Sequence, residues 1–185
     1  MEFQKDINGI EGLILITPRV FEDERGFFKE VFNEEVFKSN GVDIHWLQAN
    51  HSRSSEGVLR GLHWQKEPFG QAKLVRATKG RVLDVAVDIR RESPTFGKYA
   101  VVELTEENHN IFLVPVGFAH GFVALSKVVD FEYMVGGSVY NRESERSIIW
   151  NDPDINIDWG VKDPIVSQKD SNAPLFKDVD PSDLF

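Results

Sequence analysis

The chain has 185 residues, 41% apolar and 28% charged, which fits one ordinary globular domain and excludes a disordered or collagen-like polymer. With 30 acidic against 21 basic residues the formal net charge is -9, so a broad electrostatic grip on nucleic acid is disfavoured and any bound phosphate must meet a local basic cluster. Cysteine is absent, which rules out disulfides, thiolate zinc sites and cysteine nucleophiles; with no membrane-length apolar run and no basic-then-apolar start, the chain reads as soluble and cytoplasmic.

Short runs rich in Val, Ile and Phe, separated by Gly, Pro, Asn and Asp, predict strands near Leu13 to Thr17 and Phe27 to Phe32. Asn33 then caps a short helix with Glu34 and Glu35 in its first turn and Gly41 as its stop. Further strands are expected at Ile44 to Ser52, Val58 to Gln65, Ala72 to Thr78, Val82 to Ile89, Lys98 to Leu104, Ile111 to Val116, Gly121 to Ser126 and Phe131 to Val135. So many short strands predict an all-β sandwich or barrel with few helices. Alternation in the Val82 run puts Val82, Asp84, Ala86, Asp88 and Arg90 on one face and Leu83, Val85, Val87 and Ile89 on the other, fully apolar, face. From Trp150 onward, Pro and Asp punctuate a tail expected to wrap the sheet as loops and turns. No repeat or linker divides the chain, so 1–185 reads as one domain.

Several residues are candidates for chemistry. Alternation in Gly57-Val-Leu-Arg-Gly-Leu-His-Trp-Gln65 predicts Leu59, Gly61, His63 and Gln65 on one face and Val58, Arg60, Leu62 and Trp64 on the other. His63 is then either a core imidazole satisfied by a neighbour or a group aimed into a cavity. Lys73 is either a surface lysine or, if the sheet curves around a pocket, a costly inward cation that needs a charge to meet. His120 sits in a Gly-punctuated corner, Pro115-Val-Gly-Phe-Ala-His-Gly-Phe122, as a packed or a pocket-lining imidazole. Asp170 is able to orient an imidazole by accepting from one ring nitrogen while the other acts as base. Arg25 and Arg60 are either surface ion-pair partners or guanidinium forks for a pyrophosphate.

Together these residues stand in longer blocks: DERGFFKE, GVLRGLHWQ, QAKLVRATKGRVLDVAVDIRRESPTFGKY, VPVGFAHGF, IIWNDPDINIDW and SQKD. In one register from about Gly9 to Asp170, the sequence closely resembles the dTDP-4-dehydrorhamnose 3,5-epimerases. The resemblance implies a cupin-type jelly-roll β-barrel, a homodimer built by exchange of strand contacts from the N-terminal part, no metal or redox cofactor, and inversion of C3 and C5 of a dTDP-4-ketosugar. It makes His63 the base, Asp170 its partner, Lys73 the stabiliser of the enolate oxygen and Tyr133 the acid on the opposite face. It also carries over Arg25, Glu30, Gln48, Ala49, Asn50, Arg60, His120, Glu145 and Lys169 as substrate contacts, and Tyr140 as the ring stacked on thymine. The chain departs from the family's pattern in Tyr133-Met-Val-Gly-Gly-Ser-Val-Tyr140, which has a Gly pair and one extra residue.

Other readings compete with this one. A C3-only epimerase shares the same framework. A metal-dependent cupin needs His-x-His, a Glu and a distant His, whereas His63-Trp-Gln65 lacks the second ligand. A non-catalytic sugar-nucleotide binding module is opposed by the joint presence of His63, Tyr133 and Asp170. No membrane or nucleic-acid partner is expected.

Overall fold

A computed structural model describes residues 1–185. The strands, in chain order, are β1 Glu2–Lys5, β2 Ile14–Thr17, β3 Val20–Asp23, β4 Gly26–Lys29, β5 Trp46–Ser54, β6 Leu59–Gln65, β7 Ala72–Lys79, β8 Arg81–Asp88, β9 Tyr99–Thr105, β10 Ile111–Val114, β11 Phe118–Ala124, β12 Val129–Gly136 and β13 Glu145–Ser147. Two short helices join them, α1 Glu34–Ser39 and α2 Gln168–Ser171. One sheet runs β1-β2-β10-β7-β12-β5 and a second runs β13-β6-β11-β8-β9, while β3 and β4 form a hairpin apart from both. The strand pairs are antiparallel. This is the expected jelly-roll sandwich.

The alternation expected of β8 is realised. Val82 and Ala86 face inward with Phe112, Phe122 and Phe131 in the core between the sheets. Val85, Val87 and Ile89 face outward and are covered by Ile148, which follows β13, and by Ile155 and Trp159 of the tail. Trp159 Nε1 also donates to the Trp150 carbonyl at 2.8 Å, which fixes the tail's path. A third cluster lies on the outer face of the six-stranded sheet, where Phe37 of α1 packs with Ile16, Leu74 and Leu113. Helix α1 starts where Asn33 Oδ1 accepts from the Val36 amide at 3.3 Å, and the chain leaves it through Gly41 at φ +86°. No helix is long and apolar enough to cross a membrane.

Three expectations are corrected. The predicted strand Phe27 to Phe32 stops at Lys29 and pairs with β3. That partner was hidden because Glu22-Asp-Glu-Arg25 reads as a charged turn. The tail from Trp150 is not all loop, since Ser167 caps the one-turn helix α2. Strict alternation in β6 also fails. Leu59 packs with Leu62 and Trp64 in the outer cluster, while Arg60 lines the same cavity as His63. The cause is a register shift in the β6–β11 ladder between His120 and Phe122. There β6 and β11 come so close that a Cβ on Gly61 would stand 2.5 Å from Gly121 Cα. Only glycine tolerates that approach together with φ +134°.

Candidate active site

Between the sheets lies a cavity of about 480 Å³ with Phe122 and Phe131 in its wall. His63 and His120, directly opposed on β6 and β11, face it from one sheet. Lys73 on β7 and Tyr133 on β12 face it from the other. An adjoining recess of about 160 Å³ shares His63, Lys73 and Tyr133 and adds Gln48, Asn50, Gln71, Tyr140 and Glu145. These three shared side chains therefore stand at the junction of two spaces.

His63 Nε2 lies 2.6 Å from Asp170 Oδ1. Ser167 sets this geometry by accepting from the Asp170 amide at 3.1 Å, which aims the carboxylate back at β6. Burial works to raise the Asp170 pKa, but hydrogen bonds from His63, Ser167 and the Gly61 amide outweigh it and hold the carboxyl below its ordinary range. An ionised carboxylate only accepts, so in the neutral ring Nε2 carries the proton and Nδ1 the lone pair.

Burial lowers the Lys73 pKa to about 8, against the opposing pull of the Asp84 and Glu145 carboxylates. Its ammonium still dominates at neutral pH and donates to the His63 carbonyl at 3.4 Å. Burial raises the Tyr133 phenol, partly opposed by Arg60, and so keeps it protonated. The Arg60 guanidinium is held at the cavity by Ser54 Oγ at 3.1 Å and the Arg53 carbonyl at 3.4 Å. Lys169 Nζ and the Tyr140 hydroxyl both meet Glu145 Oε2, at 2.7 and 3.2 Å. An imidazole hydrogen-bonded to a carboxylate, a protonated phenol and an ammonium thus share one pocket, a set of groups that suits proton transfer beside a carbonyl.

The family model for dTDP-4-dehydrorhamnose 3,5-epimerase matches residues 8–178. The chain belongs to the dTDP-4-dehydrorhamnose 3,5-epimerase family. It is 49% identical over 172 residues to the dTDP-4-dehydrorhamnose 3,5-epimerase of Shigella flexneri, covering 92% of this chain and 94% of that one. A crystal structure of the dTDP-6-deoxy-D-glucose-3,5-epimerase of Legionella pneumophila, in complex with dTDP-4-keto-L-rhamnose, superposes with a TM-score of 0.93 at 43% identity, covering 99% of this chain and 97% of that one. A 3'-monoepimerase from Streptomyces bikiniensis, in complex with dTDP-quinovose, gives a TM-score of 0.85 at 34% identity, covering 90% and 85% of the two chains. The cupin-type jelly roll is therefore shared with solved relatives of the 3,5-epimerase family.

Of the residues assigned by likeness to the family, the fold brings His63, Lys73, Arg60, His120, Tyr133, Lys169 and Asp170 onto one cavity. Gln48, Asn50, Tyr140 and Glu145 line the adjoining recess. Ala49 points its side chain to the outer face of the sheet, beside His51 and Met134. Arg25 and Glu30 do not reach this chain's own cavity. Arg25 pairs with Asp23 at the tip of the β3–β4 hairpin, and Glu30 accepts from Asn33 Nδ2 at 3.1 Å. Two groups at the site were not singled out from sequence, Asp84 beneath His120 and Ser167 behind Asp170. Asp84 had a signal: it is a lone acid between Val82 and Ala86 on the inward face of β8. Ser167 had only the weak pattern of a capping serine three residues before an acid.

Proposed function

We infer that the chain inverts C3 and C5 of dTDP-4-dehydro-6-deoxy-D-glucose, giving dTDP-4-dehydro-L-rhamnose. The placing of His63 and Tyr133 on opposite sheets across one cavity carries this reading. Each inversion beside the C4 ketone removes a proton from one face and returns one to the other. His63 Nδ1 is the base, and Asp170 fixes its tautomer and balances the imidazolium that forms. Lys73 meets the C4 oxygen as it becomes an enolate. Tyr133 delivers a proton from the far face, and before the second inversion the imidazolium releases its proton to solvent while the phenolate takes one up. The ketone is regenerated each time, so the sequence is redox-neutral and these residues complete it without a cofactor.

Arg60 and Lys169 hold the diphosphate in this reading, Tyr140 stacks on thymine, and Gln48, Asn50, His120 and Glu145 hydrogen-bond base and sugars. Ala49 contributes through its backbone. Arg25 and Glu30 come from a second copy of the chain. Supporting this, the β3–β4 hairpin leaves Phe21, Phe27 and Phe28 more than half exposed, an apolar patch that a strand-exchanging homodimer covers. The working compartment is the cytoplasm.

The test is incubation of the protein with dTDP-4-dehydro-6-deoxyglucose in heavy water, with exchange at C3 and C5 followed by proton NMR. Exchange at both carbons is expected. Exchange at C3 alone moves the reading to a monoepimerase and directs attention to the Gly136-Gly137 segment. Binding without exchange leaves a sugar-nucleotide binding module.

Asp170→Asn is expected to lower kcat by about a thousandfold, because an amide nitrogen turned to Nε2 forces the proton onto Nδ1 and removes the base. Steady-state kinetics check it, and an unchanged kcat rejects the pairing as functional.

A further inference from the structure

Beneath the cavity lies a carboxylate that the chemistry above leaves unused. Asp84 faces inward from β8 and is fully buried. Its Oδ1 accepts from His120 Nε2 at 2.8 Å, while Oδ2 is the one buried side-chain polar atom that meets no donor. A sealed carboxylate with a bare oxygen is costly, and its inward neighbours on β8 are apolar. Packing does not account for an acid there.

We propose that Asp84 is a positioning residue of the site: it holds His120 as the Nε2–H tautomer with a bare Nδ1 turned to the sugar, and its charge keeps Lys73 an ammonium. The inference rests on the reading of the cavity as a ketosugar site. His120 Nδ1 has no partner in the chain yet is not sealed, so it opens onto the cavity that the ring lines. Burial and the nearby Lys73 both oppose a second proton on His120, although Asp84 favours one; the balance leaves the ring's pKa lowered. Nδ1 is then an acceptor. It suits a sugar hydroxyl and repels an enolate oxygen, so the ammonium faces the C4 oxygen without a competing imidazolium.

Lys73 shares the cavity and its recess with Arg60 and His63 of β6, His120 of β11, Tyr133 of β12, Tyr140, Glu145 of β13, and Lys169 and Asp170 of α2, and the charge of Asp84 on β8 reaches it from beneath His120. Two of these, Asp84 and Glu145, pull its pKa upward. Glu145 already meets Lys169 and the Tyr140 hydroxyl. Asp84 meets only the His120 imidazole; burial pushes its own carboxyl pKa up, against the pull of His120 and Lys73, so those two partners favour the charge that in turn favours the Lys73 ammonium.

Asp84→Asn preserves shape and removes the charge. The alkaline limb of its kcat/KM profile is expected to move down by about one pH unit, so that relative to wild type about sixfold more activity is lost at about pH 8.5 than at about pH 6.5. A folded variant whose alkaline limb stays in place overturns the proposal. If the variant does not fold, nitrogen-15 NMR of labelled histidines in the wild-type protein decides. A neutral His120 protonated at Nε2 from about pH 6 to about pH 8 supports the inference. A protonated Nδ1, or titration within that window, overturns it. The NMR result is independent of turnover, so a wrong substrate assignment would show separately as inactivity with the tautomer intact.

Discussion

His63→Ala is expected to abolish exchange at both C3 and C5 and to lower kcat by about 10³- to 10⁴-fold, the size of a lost general base. Binding of dTDP should stay within about threefold, because the proposed nucleotide contacts are other residues and uniform binding is separable from transition-state binding. In the proposed assignment one base serves both carbons, since each neighbours the same ketone and His63, fixed by Asp170, stands beside Lys73, which meets that ketone's oxygen. Loss at only one carbon would show that another group abstracts the second proton. Isothermal titration with dTDP, run beside the heavy-water NMR, separates a dead catalyst from a collapsed site.

Lys73→Gln should cost about 10²- to 10³-fold in kcat with little change in KM, because the charge on the C4 oxygen develops mainly in the transition state. The same residue sets a pH limit. Its pKa is lowered by burial to about 8; the cation is present below that value and lost above it, so kcat/KM should fall about tenfold per pH unit on the alkaline side. Lys73→Arg keeps the charge at all accessible pH values. Its residual activity should lack the limb near 8. A limb that persists in Lys73→Arg would assign it to another group, with Tyr133 the next to examine.

Local periodicity made much of the framework readable before any coordinates. The two faces of β8 and the capped helix α1 needed only spacing and residue type, because each depends on neighbours within a few positions. The β6 faces did not yield to the same reasoning. Alternation there is broken by contact between Gly61 and Gly121, a relation between strands far apart in the chain. Strand β13 and helix α2 were missed because three or four residues carry too little pattern to stand out from turns.

The sequence by itself determined the sandwich class, the outward apolar face that the tail covers, and, through long blocks of likeness, the family and the residue types available for proton transfer. Only the tertiary structure decided which of them meet. His63 and Asp170 are separated by 107 positions and lie 2.6 Å apart, and the inward-facing Asp84 lies under His120, 2.8 Å from its Nε2. Arg25 and Glu30 show the converse, matching the family in sequence while standing away from their own chain's cavity. The physical reason is common to all three cases. Periodicity reports which side of an element a residue occupies, whereas proton transfer and charge depend on distances of a few ångströms that are set by how sheets, tail and neighbouring strands close on one another.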